Sequence, residues 1–219
     1  MDSNALKQGL FQRKPTPKYR NSSLLKSSCL IWKNPRTVNV RFFFVDAAHL
    51  LWGPSLGYLW CRIRHFVLGA HGRNRFNILG AIEVHSQEFI QVDNDSYINR
   101  WSVVELLMQI AAQKYSVPVS IVLDNAPYQH ALVVKWIAAY YDIELLYLPS
   151  YSPNLNLIER FWKLLRSKAL INVEYESFES MKNGILSFVR NLTSYKEEIS
   201  SLLSTNFQTF GGVKMLEST

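Results

Sequence analysis

The chain has 219 residues, 48% of them hydrophobic, with 6 Trp, 11 Tyr and 12 Phe, enough apolar surface for one full domain without staples. Its two cysteines, Cys29 and Cys61, lack CxxC spacing and exclude a zinc module or disulfide framework; no run of about 18 apolar residues offers a membrane helix, so a cytoplasmic protein with no membrane partner is expected. The formal charge of +7 is concentrated in residues 1–41, which carry nine Lys or Arg against Asp2 alone, while the remainder holds 15 bases against 16 acids.

A basic arm on a near-neutral body is the asymmetry expected when a polyanion is the partner, with a solvated tail as the alternative. Residues 1–38 mix Pro, Ser, Asn and Lys without periodicity and read as an irregular arm, and no apolar segment of signal-peptide type follows the basic start. Arg41-Phe-Phe-Phe-Val-Asp46 is a short apolar run ending on an acid, the texture of a buried central strand. A loop is expected over 47–57, which holds Gly53, Pro54 and Gly57. Strand-like stretches follow at 75–84 and 87–92, separated by a short polar turn.

Residues 96–115 have helical apolar spacing, with Ser96 as a candidate cap, and Pro118 then breaks the chain. Val119-Ser-Ile-Val-Leu-Asp124 is a second apolar run ending on an acid. Residues 129–141 read as a helix and Ile143–Leu148 as a strand. A turn over Pro149–Asn156 leads into a helix at about 157–169, one or two helices occupy 176–204, and 206–219 form a tail. The catalytic body is thus expected over 39–205. Three strands, helix, strand, helix, strand, helices is the order of an α/β ribonuclease-H-like fold, a mixed five-stranded sheet flanked by helices.

In open α/β sheets functional groups gather beyond the carboxyl ends of strands. If the two acid-ending strands are neighbours, Asp46 and Asp124 stand side by side and shift each other's pKa unless a cation lies between them. Oxygen-only ligands favour Mg²⁺ or Mn²⁺ over zinc or copper. Glu159 is the candidate third acid. Ile158, Phe161, Trp162 and Leu165 form the apolar stripe of its helix, which leaves Glu159, Lys163 and Arg166 together on the flank. Structural alternatives stand beside each role: an Asp at a strand end often begins a turn, and Asn156 with Glu159 three positions on fits a capping box. Asp93, Asp95, Asp142 and Glu144 sit in turns or at element ends and read as solvated.

Leu123-Asp124-Asn125-Ala-Pro-Tyr-Gln-His130, followed by Leu148-Pro-Ser-Tyr-Ser152-Pro153-Asn-Leu-Asn156-Leu-Ile-Glu159-Arg-Phe-Trp162, closely resembles the DDE endonuclease domain of mariner-type bacterial insertion-sequence transposases. Between Asp124 and Glu159 lie 34 residues, a spacing of that superfamily, and the resemblance covers roughly 40–205. Position 157 is Leu where the family commonly has Pro. The resemblance implies catalytic and metal-binding roles for Asp46, Asp124 and Glu159, with Asn125, Ser152, Pro153 and Asn156 supporting the motif. It implies two Mg²⁺ or Mn²⁺ ions per site, cleavage of transposon-end DNA and strand transfer into target DNA, and a homodimer on the DNA. Only 45 residues precede Asp46, too few for two helix-turn-helix modules, so the resemblance further implies a catalytic half with a separately encoded helix-turn-helix partner, or a truncated copy.

Between Asp46 and Glu83 there is no acid, yet the stretch holds Arg62, Arg64, Arg73 and Arg75 with His49, His65 and His71. Together with Lys163 and Arg166, these arginines are the candidate contacts to DNA phosphates; a basic outer face of a hairpin is the alternative. Trp52, Tyr58 and Trp60 read as core residues before base-stacking ones, and His130 as a helix residue before a ligand. No GxxxxGK[ST] loop occurs, and phosphoryl transfer between DNA ends needs no ATP. Two competing functions are another ribonuclease-H-like nuclease, such as a resolvase or RNA–DNA hybrid hydrolase, and a DNA-binding remnant without nuclease activity.

Overall fold

Five strands hydrogen-bond in the order β3-β2-β1-β4-β5 in the computed structural model, which describes residues 40–53, 74–148 and 156–203. The arm at 1–38, the tail at 206–219, and Tyr58, Trp60, Arg62, Arg64, His65, His71, Arg73, Ser152 and Pro153 lie outside the described residues. The strands are β1 (Arg41–Leu51), β2 (Arg75–Glu83), β3 (Phe89–Asn94), β4 (Val119–Leu123) and β5 (Ile143–Tyr147). The helices are α1 (Arg100–Ala112), α2 (Leu132–Tyr140), α3 (Ile158–Ala169), α4 (Phe178–Arg190) and α5 (Lys196–Leu202). β1, β2 and β3 form an antiparallel meander, and β4 and β5 join parallel to β1 through helical crossovers. This is the expected mixed sheet.

The alternation along β1 sorts the core into two layers. Phe42, Phe44, Ala48 and Leu50 face one side with Phe76, Ile78, Ile82 and Val122, and α3, α4 and α5 cover them. Phe43 and Val45 face the other side with Leu79, Ala81, Ile121 and Leu123, under α1 and α2. Because both faces are covered, the strands read as continuous apolar runs.

Three local expectations are corrected. Residues 47–51 continue β1 and are not a loop: β4 leaves β1 after Phe44, but β2 keeps pairing from Ala47↔Leu79 to Leu51↔Arg75. Asp46 therefore lies inside a strand, not at its end. The cap of α1 is Asn99, whose side chain accepts from the N–H groups of Trp101 and Ser102, while Ser96 donates its own N–H to Asn94. The helix expected at 129–141 divides into a 3₁₀ turn, Pro127–His130, and α2, because Ala131 between them is extended at ψ 141°.

Gly80 is required by packing. Gly80 of β2 lies directly across the ladder from Asp46, and a Cβ there would meet Trp162 Cη2 at 2.7 Å and Phe89 ring carbons at 2.8 Å. Trp162 is buried and Phe89 half-buried, and the two rings pack against each other in the same core cluster, so neither yields easily. We expect Gly80→Ala to destabilise the fold by about 1–3 kcal/mol, the usual penalty of overpacking, read as a lower urea midpoint; an unchanged midpoint would contradict the packing described here.

Candidate active site

The parallel pairing of β1 with β4 brings the first two acids out at one end of the ladder. The ladder runs as far as Phe44 opposite Val122, and Asp46 and Asp124, each two residues beyond that pair, are close enough for their charges to interact. Both continue the face defined by Phe44 and Val122, the face that α3 covers. Asp124 is exposed just beyond the end of β4, and Asn125 behind it takes a left-handed backbone, φ 75°, that turns the chain off the sheet. Asn tolerates that conformation better than most residues.

Helix α3 brings the third acid. Its stripe of Ile158, Phe161, Trp162 and Leu165 is buried against the sheet, as expected, and Glu159 stands on the flank in its first turn. The capping-box alternative for Glu159 is overturned. Leu157 precedes the helix without any side-chain cap bond, and among the described residues the Glu159 carboxylate accepts no hydrogen bond. Asn156 has another use: buried, it donates Nδ2–H to the Val45 carbonyl at 3.1 Å and so pins the start of α3 to β1 beside Asp46.

The three acids are coupled through Asp46. Burial pushes its carboxyl from 3.8 up to about 7, and the charges of Glu159 and Asp124 push in the same direction; hydrogen bonds from the Ala47 backbone and the Trp162 indole oppose them. Trp162 Nε1 donates to Asp46 Oδ2 at 3.1 Å, and Gln129 Nε2 donates to Asp124 Oδ1 at 2.5 Å. Tyr128 borders the same pair: burial raises its phenol to about 12, with the charges of Asp124 and Asp46 adding to the effect. Trp162 was expected only as core, and Gln129, Tyr128 and Gly80 had no expected role. A buried polar atom within a motif must find a partner, and that signal alone could have singled out Gln129.

As metal ligands the residues fit in chemistry: an oxygen-only set whose central member is raised by its neighbours' negative charge is one that a hard divalent cation would relieve. They do not form a ready-made cage. Among the described residues no three His, Cys, Asp or Glu side chains are grouped so as to hold an ion as they stand.

The described DNA-contact candidates fall in two places, Arg75 on β2 and Lys163 and Arg166 on α3 with Glu159. Arg75 is exposed at the start of β2 and donates to the Ser96 carbonyl at 3.3 Å, at the rim of a cleft of about 570 Å³ that none of the three acids lines. Lys163 is exposed and Arg166 half-buried on α3; among the described residues neither forms an ion pair, whereas Lys168 binds Glu198 at 3.0 Å. His49 hydrogen-bonds Asn77 at 2.7 Å, and Trp52 packs on the core. His130 ends the 3₁₀ turn, hydrogen-bonds Asn125 and stacks on Tyr147 at 4.1 Å. Asp95 and Glu144 are exposed as expected, yet Asp95 pairs with Lys182 at 2.8 Å and Glu144 accepts from Ser120 at 2.7 Å.

The raised Asp46 carboxyl makes a stability claim with a definite sign. Its folded pKa lies above its unfolded value, so the native state binds the extra proton and stability falls as pH rises from about 4 to about 7. We expect Asp46→Asn, without added metal, to raise the melting temperature at pH 8, with the gain shrinking towards pH 4. Melting curves of both proteins across this range check it; a pH-independent difference would contradict the assignment.

Among curated proteins none matches the chain. Among solved structures, the chain is similar to the Mos1 transposase paired-end complex with left transposon end, at 15% identity and TM-score 0.55, covering 94% of this chain and 70% of that one. It is also similar to the Mos1 transposase catalytic domain with Raltegravir and Mg, at 15% identity and TM-score 0.51, covering 88% and 99% of the two chains. At such identity the likeness establishes the fold. The family model described as DDE superfamily endonuclease matches residues 44–182, more than half of the chain. That match takes in β1 from Phe44, the whole of β4 and α3, and the acids they carry, and the chain belongs to the DDE superfamily of endonucleases.

Proposed function

We propose that the chain is the catalytic domain of a DNA transposase that cuts transposon-end phosphodiesters and joins the freed ends to target DNA. The observation that carries this reading is the coupling of Asp46 to Asp124 and Glu159 on one face of the sheet. The domain is proposed to span 39–205, with the basic arm before it and the tail after it. The similar Mos1 structures include paired-end complexes with Mn and with Mg. By analogy we assign double-stranded DNA as substrate, a homodimer as the acting form, and Mg²⁺ or Mn²⁺ as cofactor. A cytoplasmic location is part of the same proposal.

Asp46, Asp124 and Glu159 would hold the divalent ions, two of them as the resemblance implies. A divalent cation bound there lowers the pKa of its water and offsets charge on the leaving oxygen. The protein's own groups do the remaining work. Asp46 and Asp124 would hold the cation beside the end of β4 and Glu159 would complete the ligand set from α3, because anionic carboxylates repel a phosphate and can meet it only through a cation. Lys163 and Arg166, one and two turns further along α3, would meet the flanking phosphates. Arg62, Arg64, Arg73 and Arg75 are proposed as a phosphate cradle. Such contacts position DNA without reading its sequence, so recognition of ends would fall to other elements, such as a separately encoded helix-turn-helix partner.

A nicking assay on transposon-end duplex tests the reading. Cleavage should require Mg²⁺ or Mn²⁺ and should fall on the order of a thousandfold in Asp124→Asn, since a metal site that loses one charge gives up several kcal/mol of transition-state stabilisation. The variant should keep its fold and DNA binding. Equal rates, or full activity in EDTA, would defeat the mechanism, and preference for an RNA–DNA hybrid would favour a hybrid hydrolase instead.

The arm has its own test. Deleting residues 1–38 removes eight bases and one acid. If four of those bases meet phosphates, the slope of log K against log salt should shrink by about 3 to 4, at roughly 0.9 per contact. Titrations on specific and random duplexes at several salt concentrations read this directly. An unchanged slope would make the arm a bystander and leave the arginines of 62–75 as the leading contact.

A further inference from the structure

Each of the two aspartates is gripped by a neutral N–H donor from the protein interior. Trp162 is 1% exposed, its ring lies over Gly80, and Phe89 meets it edge-on at 5.9 Å and 87°. Packed in this way the indole cannot turn, and its one polar atom points at Asp46 Oδ2. Gln129 is fully buried and both ends of its amide are used: Oε1 accepts from the Ala126 N–H at 3.0 Å, and Nε2 donates to Asp124 Oδ1. Because the Ala126 N–H needs the oxygen, the amide orientation is fixed and the NH₂ group must face the carboxylate.

Core packing alone explains an indole at 162, but not a glycine at 80, which lets the ring reach over β2 to the one acid opposite. Turn capping explains Gln129 Oε1, but a glutamate or a shorter acceptor would serve there without placing a donor on Asp124. A lysine or arginine in either place would hold its aspartate at least as firmly, yet would cancel the negative charge that attracts a cation. A neutral donor orients the carboxylate and leaves its charge in place.

We propose that Trp162 and Gln129 are the positioning residues of this centre, each holding one oxygen of an aspartate so that the carboxylates of Asp46 and Asp124 are presented together to a divalent cation. The proposal rests on the carboxylates being a metal centre, and the test separates the two. Mn²⁺ is titrated calorimetrically into the full 219-residue chain, wild type, Trp162→Phe and Gln129→Met, and nicking is followed at varied Mn²⁺ and varied duplex. The variants should bind Mn²⁺ about 10- to 100-fold more weakly, as loss of such outer partners usually does, with a lower kcat and an unchanged KM for duplex. A wild type that takes up no Mn²⁺ defeats the metal assignment itself. A wild type that binds it, with either variant within about twofold, overturns the role of that residue.

Trp162 lies deep in the core, so a measurement on the unaltered protein stands beside the variant. In wild type labelled with ¹⁵N-tryptophan, the Trp162 indole N–H should be protected from exchange and its resonance should move on addition of Mg²⁺. An indole signal that exchanges freely, or stays in place at saturating Mg²⁺, overturns the proposal for Trp162.

Discussion

The constraint on which the site depends is a carboxyl placed in the middle of a sheet's buried face. Between Phe44 and Ala48, on a strand whose neighbouring positions on that face are core, stands Asp46. Such a position penalises the charged form, and the charges of Glu159 and Asp124 deepen the penalty. A fold pays for that only where something else is gained. The surroundings act to hold the group in place rather than to neutralise it: an indole N–H, a backbone N–H, and no lysine or arginine among the described groups that shift it.

The rest of the architecture follows from aiming two more acids at that point. Parallel pairing of β1 with β4 runs to within two residues of both acids and so brings Asp46 and Asp124 out at the same end of that ladder. The helix carrying Glu159 has to arrive from elsewhere in the chain, and a single buried amide, Asn156, fastens its first turn to the carbonyl next to Asp46. Gly80 then opens the space through which the same helix delivers Trp162. Two segments distant in sequence, β4 and α3, are thereby locked to one strand by one ladder, one amide and one ring. Sites built on strands and helices in this way hold their geometry better than sites on loops.

Much of this was legible in the sequence, because both covered faces of the sheet write themselves as apolar runs and the amphipathic spacing of α3 is clear. The order of elements, the two strand acids and the buried stripe of Ile158, Phe161, Trp162 and Leu165 could be read directly. What could not be read was set by partners distant in sequence. Residues 47–51 look like the start of a loop until β2 pairs with them. Asn156 followed by Glu159 looks like a capping box until the side chain turns its Nδ2–H to a β1 carbonyl and its amide oxygen accepts no N–H of the helix. Trp162 satisfies the periodicity of a core residue, and only its indole N–H, which needs a partner once buried, hints at a second role. Asn99 displaced Ser96 as the cap of α1 for a local reason, since Ser96 is already tied to Asn94.

The central claim is that Asp46, Asp124 and Glu159 form one divalent-metal centre. Anomalous diffraction from crystals of the full chain soaked in Mn²⁺, with transposon-end duplex bound, tests it most directly. The account predicts manganese peaks in contact with carboxylate oxygens of Asp46 and Asp124, with Glu159 turned in to complete the set. Peaks at other acids such as Asp95 and Glu179, with the three carboxylates left without manganese, would contradict it.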